Sequence, residues 1–163
     1  MKRNRWFVWA MISVLMVILL SGCGNSNVSG NVSSGNGKNL LNLDEVNRLV
    51  KQEDDLVTVN SSTKLDAAME EVLELVAENN DGEISVGTIQ FQLAQRLDSF
   101  ETGTAIWPHF VKVGELSQTP EEKVAKTVLQ LESITKNHTY GACAMRATTQ
   151  DGVEYWIIVS ITM

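Results

Sequence analysis

Three side chains in this sequence have the chemistry of a metal site: His109, Glu115 and His138. Imidazole nitrogen and carboxylate oxygen both bind zinc, and three such ligands with one water complete a catalytic zinc centre. A metal-assisted hydrolase is therefore one functional hypothesis. Nothing in the spacing brings the three residues together, however, and His109 follows Trp107 and Pro108 in a turn-like context where we expect it to be exposed. We expect no metal and no cofactor.

A nucleophilic reaction would need a serine, threonine or cysteine beside a base. Cys143 lies within the apolar, strand-like stretch YGACAM, and free cysteine is among the residue types most often buried. No nucleophile-elbow or papain-like signature surrounds Cys143, and the chain has no phosphate-binding or dinucleotide-binding glycine motif. We therefore expect Cys143 to be buried and inert, and the protein not to be an enzyme.

The other cysteine, Cys23, ends an apolar segment near the start of the chain. A basic start, MKRNR, precedes an apolar run over residues 6–20 that only Ser13 interrupts. This pattern is typical of a secretory signal, and the run is short for a membrane-spanning helix. It ends in LSGC, which resembles the lipobox of bacterial lipoproteins. The resemblance implies that residues 1–22 are a signal peptide and that Cys23 carries the lipid; an uncleaved anchor helix is the alternative.

Residues 23–39 are expected to form the lipidated cysteine and a tether. Their sequence, CGNSNVSGNVSSGNGKN, is almost entirely Gly, Ser and Asn, so it cannot bury enough apolar surface to offset the entropy of ordering it. As a flexible coil it spans roughly 20–25 Å. Two acyl chains on Cys23 are enough for stable anchoring. We expect a lipid-anchored protein on the extracytoplasmic face of the cell membrane.

The charge of the chain argues against nucleic acid as a partner. Three of the 13 Lys and Arg lie in residues 1–22, which leaves 10 against 20 Asp and Glu, a net charge of −10. Nucleic-acid binding depends on cationic contacts with phosphate. The partners we expect are the lipid bilayer, through Cys23, and an unidentified envelope or extracellular molecule.

Residues 40–163 are expected to form one domain, and its first part is predicted to be helical. Four segments carry apolar residues at helical spacing: residues 43–50, 62–79, 86–98 and 120–134. Over residues 86–98 a strand is the alternative, because Ile89, Phe91 and Leu93 also alternate.

The last of these helices has the strongest start signal. Thr119 and Glu122 have the spacing of a capping box, and Pro120 takes the first helical position. Asn42 and Glu45 show the same capping pattern before the first helix. The apolar face of the last helix is expected to consist of Val124, Val128, Leu131 and Ile134.

The second part of the domain is predicted to be rich in strands. Residues 139–149 and 153–162 flank Asp151 and Gly152, and an Asp-Gly pair between two such runs indicates a hairpin. A shorter strand is expected over residues 110–113. Helices followed by strands predict an α+β layered domain.

The order of these elements and of several short motifs resembles the bacterial branch of the CAP superfamily (cysteine-rich secretory protein, antigen 5 and pathogenesis-related 1). In chain order the motifs are VNR at 46–48, DG at 81–82, QRL at 95–97, GE at 114–115, TPEE at 119–122, Gly141 and YW at 155–156. The resemblance covers nearly all of residues 40–163. It implies a three-layer α-β-α sandwich that ends in a C-terminal β-hairpin.

The resemblance also implies a cleft, which in the family often holds two histidines and two acidic residues able to bind a divalent metal. Glu115 matches one acidic position, whereas Leu116 replaces the family's asparagine. The helix over residues 62–79 has no histidine, and Lys136 takes the place of a family histidine, with His138 two residues beyond. A lysine ammonium repels a cation, so we expect the metal site to be lost.

The leading hypothesis is a membrane-tethered, non-catalytic binding or interaction module on a degenerate CAP-like domain. The candidate cleft residues are Trp107, His109, Glu115 and His138, with Phe110 beside them. The alternatives are a metal-assisted hydrolase with a rearranged cleft and a structural envelope lipoprotein without a ligand.

Overall fold

The computed structural model describes residues 38–163, which form a mixed α/β domain with a four-stranded sheet. In chain order the elements are α1 (Leu43–Lys51), β1 (Thr58–Asn60), α2 (Thr63–Ala77), α3 (Val86–Arg96), α4 (Ser99–Thr102), β2 (Ile106–Lys112), a 3-10 turn (Val113–Glu115), α5 (Pro120–Thr135), β3 (Thr139–Thr148) and β4 (Glu154–Thr162). The expected signal peptide, the expected lipidation of Cys23 and the tether up to residue 37 lie outside the described residues. Within residues 38–163, no helix has the length and apolar character needed to cross a membrane.

The four strands lie in the order β1-β3-β4-β2. β3 pairs antiparallel with β4, β4 pairs antiparallel with β2, and β1 pairs parallel with β3. The turn between β3 and β4 contains Gly152 at φ 88°, a conformation that glycine adopts at no steric cost. The expected C-terminal hairpin around Asp151 and Gly152 is confirmed, and the outer strands of the sheet are β1 and β2.

Helices cover both faces of the sheet because the side chains of β3 and β4 alternate between the faces. On one face, Cys143 and Ile157 pack with buried residues of α2 and α3. On the other face, Ala144 and Ile158 pack with buried residues of α1 and α5. β3 and β4 are therefore apolar on both sides, as central strands covered by two layers must be.

The starts of three helices follow local sequence signals. Ser62, Ser85 and Thr119 each accept a hydrogen bond from the backbone N–H three residues later. Such caps satisfy backbone donors that have no partner inside the helix. The predicted capping box of Thr119 and Glu122 is confirmed, and the segment predicted over residues 86–98 forms a helix, Val86–Arg96, rather than a strand.

The start of α1 differs from the predicted capping box. The Asn42 side chain does cap the helix, accepting from the Glu45 N–H at 3.3 Å. The Glu45 carboxylate, however, pairs with Arg48 at 2.6 Å instead of turning back to Asn42. The Asn42 N–H donates to the carboxylate of Glu121, which lies in the first turn of α5, at 3.0 Å. A tertiary contact has replaced the local one.

Two expectations about the elements are wrong in detail, and two elements are additional to the prediction. The strand expected over residues 110–113 begins earlier, at Ile106, because it pairs with β4 along its whole length. β1 and α4 were not anticipated. Ile134 is 72% exposed and does not join the buried face of α5, because the last turns of that helix bury Glu132 instead.

Candidate functional site

β2 is an outer strand, so the backbone groups along one of its sides have no neighbouring strand to pair with. The Thr162 N–H donates to the Ala105 carbonyl at 3.1 Å. With the register of the two strands, this bond shows which residues of β2 are hydrogen-bonded to β4 and which are not. In an antiparallel ladder every second pair is hydrogen-bonded. Trp107 and every second residue after it therefore bond to β4, whereas Pro108 and Phe110 direct their backbone groups outward. Pro108 lacks an N–H, and an outward position on an outer strand is where that lack is tolerated.

A groove lined by aromatic side chains lies beside the start of β2. Phe91 of α3, Phe100 of α4 and Trp107 of β2 line a cavity of about 410 Å³, and we call this surface the aromatic groove. The three side chains are 53%, 74% and 42% exposed. Contiguous apolar surface left in water commonly marks an interaction site.

A second cavity, of about 290 Å³, lies further along β2. His109 and Glu115 from the predicted cleft both line it, together with Leu116 and Lys123. Two of the four candidate cleft residues therefore share one cavity, although it is open and Glu115 is exposed.

His109 is part of β2 and half-buried, so the expectation of an exposed turn residue is wrong. Its Nε2 lies 2.9 Å from the Thr127 hydroxyl, and that hydroxyl donates its own proton to the Lys123 carbonyl at 2.8 Å. His109 Nε2 must therefore carry a proton and donate it to Thr127. Burial lowers the pKa of His109 to about 4, and the Lys123 ammonium acts in the same direction. The ring is neutral at pH 7.

The far end of β2 is held by Asp81, which lies in the loop after α2. Its carboxylate accepts hydrogen bonds from Lys112 Nζ, at 2.6 Å, and from the Tyr155 hydroxyl. These two bonds, that of Lys112 first, hold the pKa of Asp81 below its ordinary value. The Phe110 ring stacks on Tyr155 with centroids 4.0 Å apart. The contacts fix the outer strand on the rest of the sheet.

His138 lies in the link between α5 and β3, at the opposite end of the strands from Glu115. Its Nδ1 is 3.1 Å from the Glu132 carboxylate, which is 5% exposed and also accepts from the His138 N–H at 2.9 Å and the Tyr140 hydroxyl at 3.0 Å. Burial alone would raise the pKa of Glu132, but these hydrogen bonds outweigh it and hold that pKa below its ordinary value. The arrangement ties the end of α5 to β3.

The four candidate cleft residues thus occupy three places. His109 and Glu115 share the second cavity, Trp107 belongs to the aromatic groove, and His138 contacts Glu132. Among residues 38–163, no group of three or more His, Cys, Asp and Glu side chains has a geometry that could hold a metal ion.

Cys143 is free and fully buried, which confirms the prediction of its burial. Burial raises the pKa of its thiol, and the nearby Asp66 carboxylate raises it further. A thiolate is the reactive form of cysteine, so this environment opposes reaction.

Sequence reasoning missed Phe91 and Phe100 as site residues. In the sequence Phe91 stands out only as part of an alternating pattern, whereas the helical wheel of α3 places it away from the buried Ile89 and Leu93. A large aromatic residue on the wet side of a predicted helix was the available signal. For Phe100 no local pattern pointed to the groove. Comparison of the chain with protein-family models, with curated proteins and with solved structures gives no match.

Proposed function

We propose that this chain is a lipid-anchored binding module on the extracytoplasmic face of the cell membrane and that it acts without catalysis. The observation that carries the binding role is the aromatic groove, in which three large side chains stay between 42% and 74% exposed around one cavity. Aromatic rings bury a large apolar area with few rotatable bonds, which suits recognition. A purely structural lipoprotein would gain nothing from leaving such a surface in water.

The state of the titratable groups favours binding over catalysis. His109 is neutral and donates its Nε2 proton to Thr127, and the Nδ1 of His138 is engaged by the buried Glu132. The Cys143 thiol lies inside the core. Each of these three groups is used in a structural contact. His109 does line the second cavity beside Glu115, but its Nε2 proton is already donated to Thr127.

The LSGC sequence at residues 20–23 and the Gly-, Ser- and Asn-rich tether support the anchor. With a net charge of −10, the mature chain has no general electrostatic attraction to anionic lipid, so the acyl chains on Cys23 must provide the attachment. Replacement Cys23→Ser is expected to release the processed protein from the membrane fraction. Processed Cys23→Ser protein that remained in that fraction would contradict the anchor.

We also propose that the domain is a divergent CAP-like three-layer α-β-α sandwich. Helices on both faces of the sheet and the C-terminal hairpin of β3 and β4 support this assignment. The proposed CAP-like domain does not include the family's metal site, because Lys136 occupies the position of one ligand and Glu115 is the sole acidic match.

The groove is tested by photo-crosslinking in intact cells. A photoreactive phenylalanine analogue is introduced at Phe100, and in a second strain at Ile134, which is a matched control because the two side chains are 74% and 72% exposed. We expect a discrete crosslinked product from position 100 that position 134 does not give, and we expect Trp107→Ala to abolish it. Identical products from both positions, or none from position 100, would refute the binding role of the groove.

A further inference from the structure

We propose that the outer edge of β2 binds an extended, positively charged peptide segment of another protein as an added strand, with an apolar side chain of that peptide in the aromatic groove. The inference rests on the proposed binding function and defines the class of partner. It combines three observations: backbone groups of β2 that have no hydrogen-bond partner, two cavities beside them and the charge of the domain.

The backbone of β2 offers the groups that strand addition needs. Both the N–H and the carbonyl of Phe110 point away from β4, and within residues 38–163 no hydrogen bond reaches them. The Pro108 carbonyl also points away from β4, but Pro108 is buried, so the strand-addition proposal rests on Phe110. The Ile106 carbonyl, by contrast, is already used by the Gln90 side chain at 3.2 Å. In strand addition, main-chain hydrogen bonds supply affinity and pockets for alternate side chains supply specificity.

Both cavities adjoin this edge. The aromatic groove includes Ile106 and Trp107 from the start of β2, and the second cavity includes Phe110 and Val111 from its end. A strand advances about 3.3 Å per residue and its side chains alternate between the faces of the sheet. A peptide lying along the seven residues of β2 therefore passes both cavities.

The chain's own tether is a poor occupant of this edge. The chain enters the domain beside β3, away from the β2 edge of the sheet. There the Leu40 N–H donates to the Ala144 carbonyl at 2.8 Å, and the Ala144 N–H donates to the Asn39 side chain at 3.1 Å. The tether is built from Gly, Ser and Asn with two Val, so it has no large side chain to fill the groove.

A second copy of the chain is also disfavoured. Pairing two β2 edges would bring together two domains that each carry a net charge of −10, and Pro108 cannot donate a hydrogen bond from either edge. In the second cavity Glu115 and Lys123 offset each other, so the charge of the whole domain dominates. A cationic segment is attracted by that charge, which raises its rate of association.

The test uses the full-length protein in detergent micelles and a displayed library of random twelve-residue peptides. Selected peptides are synthesised and added to ¹⁵N-labelled protein, and amide hydrogen exchange is followed by NMR. We expect the selected peptides to be basic and to slow exchange of the outward Phe110 N–H by tenfold or more. The His109 N–H, which already bonds to β4, serves as the internal control. Phe100→Ala should raise the Kd about tenfold or more and Ile134→Ala less than twofold, because only Phe100 lies in the groove.

Each other result counts against the proposal. If Phe100→Ala weakens binding while Phe110 exchange is unchanged, and N-methylation of alternate peptide amides has no effect, strand addition is wrong and the groove still binds. If Phe100→Ala does not change the Kd of the peptides and the peptides do not slow exchange of the Phe110 N–H, neither the edge of β2 nor the aromatic groove is the peptide site. If the library yields no binder, or only acidic peptides, the proposed partner class is wrong.

Discussion

Replacement of Glu132 by alanine is expected to destabilise the domain strongly, although the residue lies outside both cavities. Glu132 is 5% exposed, and its carboxylate accepts hydrogen bonds from the His138 N–H at 2.9 Å and the Tyr140 hydroxyl at 3.0 Å. A hydrogen bond to a charged group contributes about 1.5–3 kcal/mol, and Tyr140 keeps a second partner in Thr135 at 2.8 Å. We expect a loss of about 3 kcal/mol in the free energy of unfolding, or roughly 10 °C in Tm.

The assay is urea unfolding of full-length protein in detergent, followed by tryptophan fluorescence. Glu74→Ala is the matched control, because Glu74 also lies in a helix but is exposed, and it should change stability by less than about 0.5 kcal/mol. The pKa of Glu132 is held below its ordinary value, so its carboxylate stabilises the fold above about pH 4.3, and this contribution disappears as the pH falls through the folded-state pKa. The difference between wild type and Glu132→Ala should therefore narrow in acid. Equal stabilities of Glu132→Ala and Glu74→Ala at pH 7 would refute the reasoning.

Three further outcomes are expected. Because the pKa of His109 is lowered to about 4, its ring should contribute a fall of about 1–2 kcal/mol in unfolding stability between pH 6.5 and pH 4, after allowance for solvent screening of a half-buried ring. His109→Gln should reduce the total fall by that amount and leave the part due to carboxylates such as Glu132; an undiminished fall in the variant would contradict the prediction. Ser160 is fully buried and its hydroxyl has no hydrogen-bond partner among the described residues, so Ser160→Ala should leave the Tm unchanged or raise it, whereas a clear loss would reveal a missed partner. Cys143 should react with a thiol reagent at most slowly until denaturant is added, and rapid labelling of the native protein, read by mass spectrometry, would show that its strand opens.

Local sequence was sufficient wherever the signal and its structural consequence lie within a few residues. The capping box of Thr119 and Glu122 and the turn at Asp151 and Gly152 depend on hydrogen bonds and dihedral angles inside a short stretch, and both formed as predicted. The apolar run around Cys143 likewise indicated burial, because a strand without polar side chains on either face must be covered on both. The signal peptide and the lipidation of Cys23 are predictions from sequence alone.

Tertiary structure decided the features that depend on distant partners. β1 is three residues long and forms by pairing with β3, about eighty residues later, so no local periodicity announces it. His109 became a half-buried strand residue because β2 pairs with β4 and α5 supplies Thr127, neither of which is visible in the sequence around Trp107 and Pro108. The aromatic groove arises in the same way. Phe91, Phe100 and Trp107 come from three elements, and only the packing of α3 and α4 beside the outer strand brings their rings to one cavity.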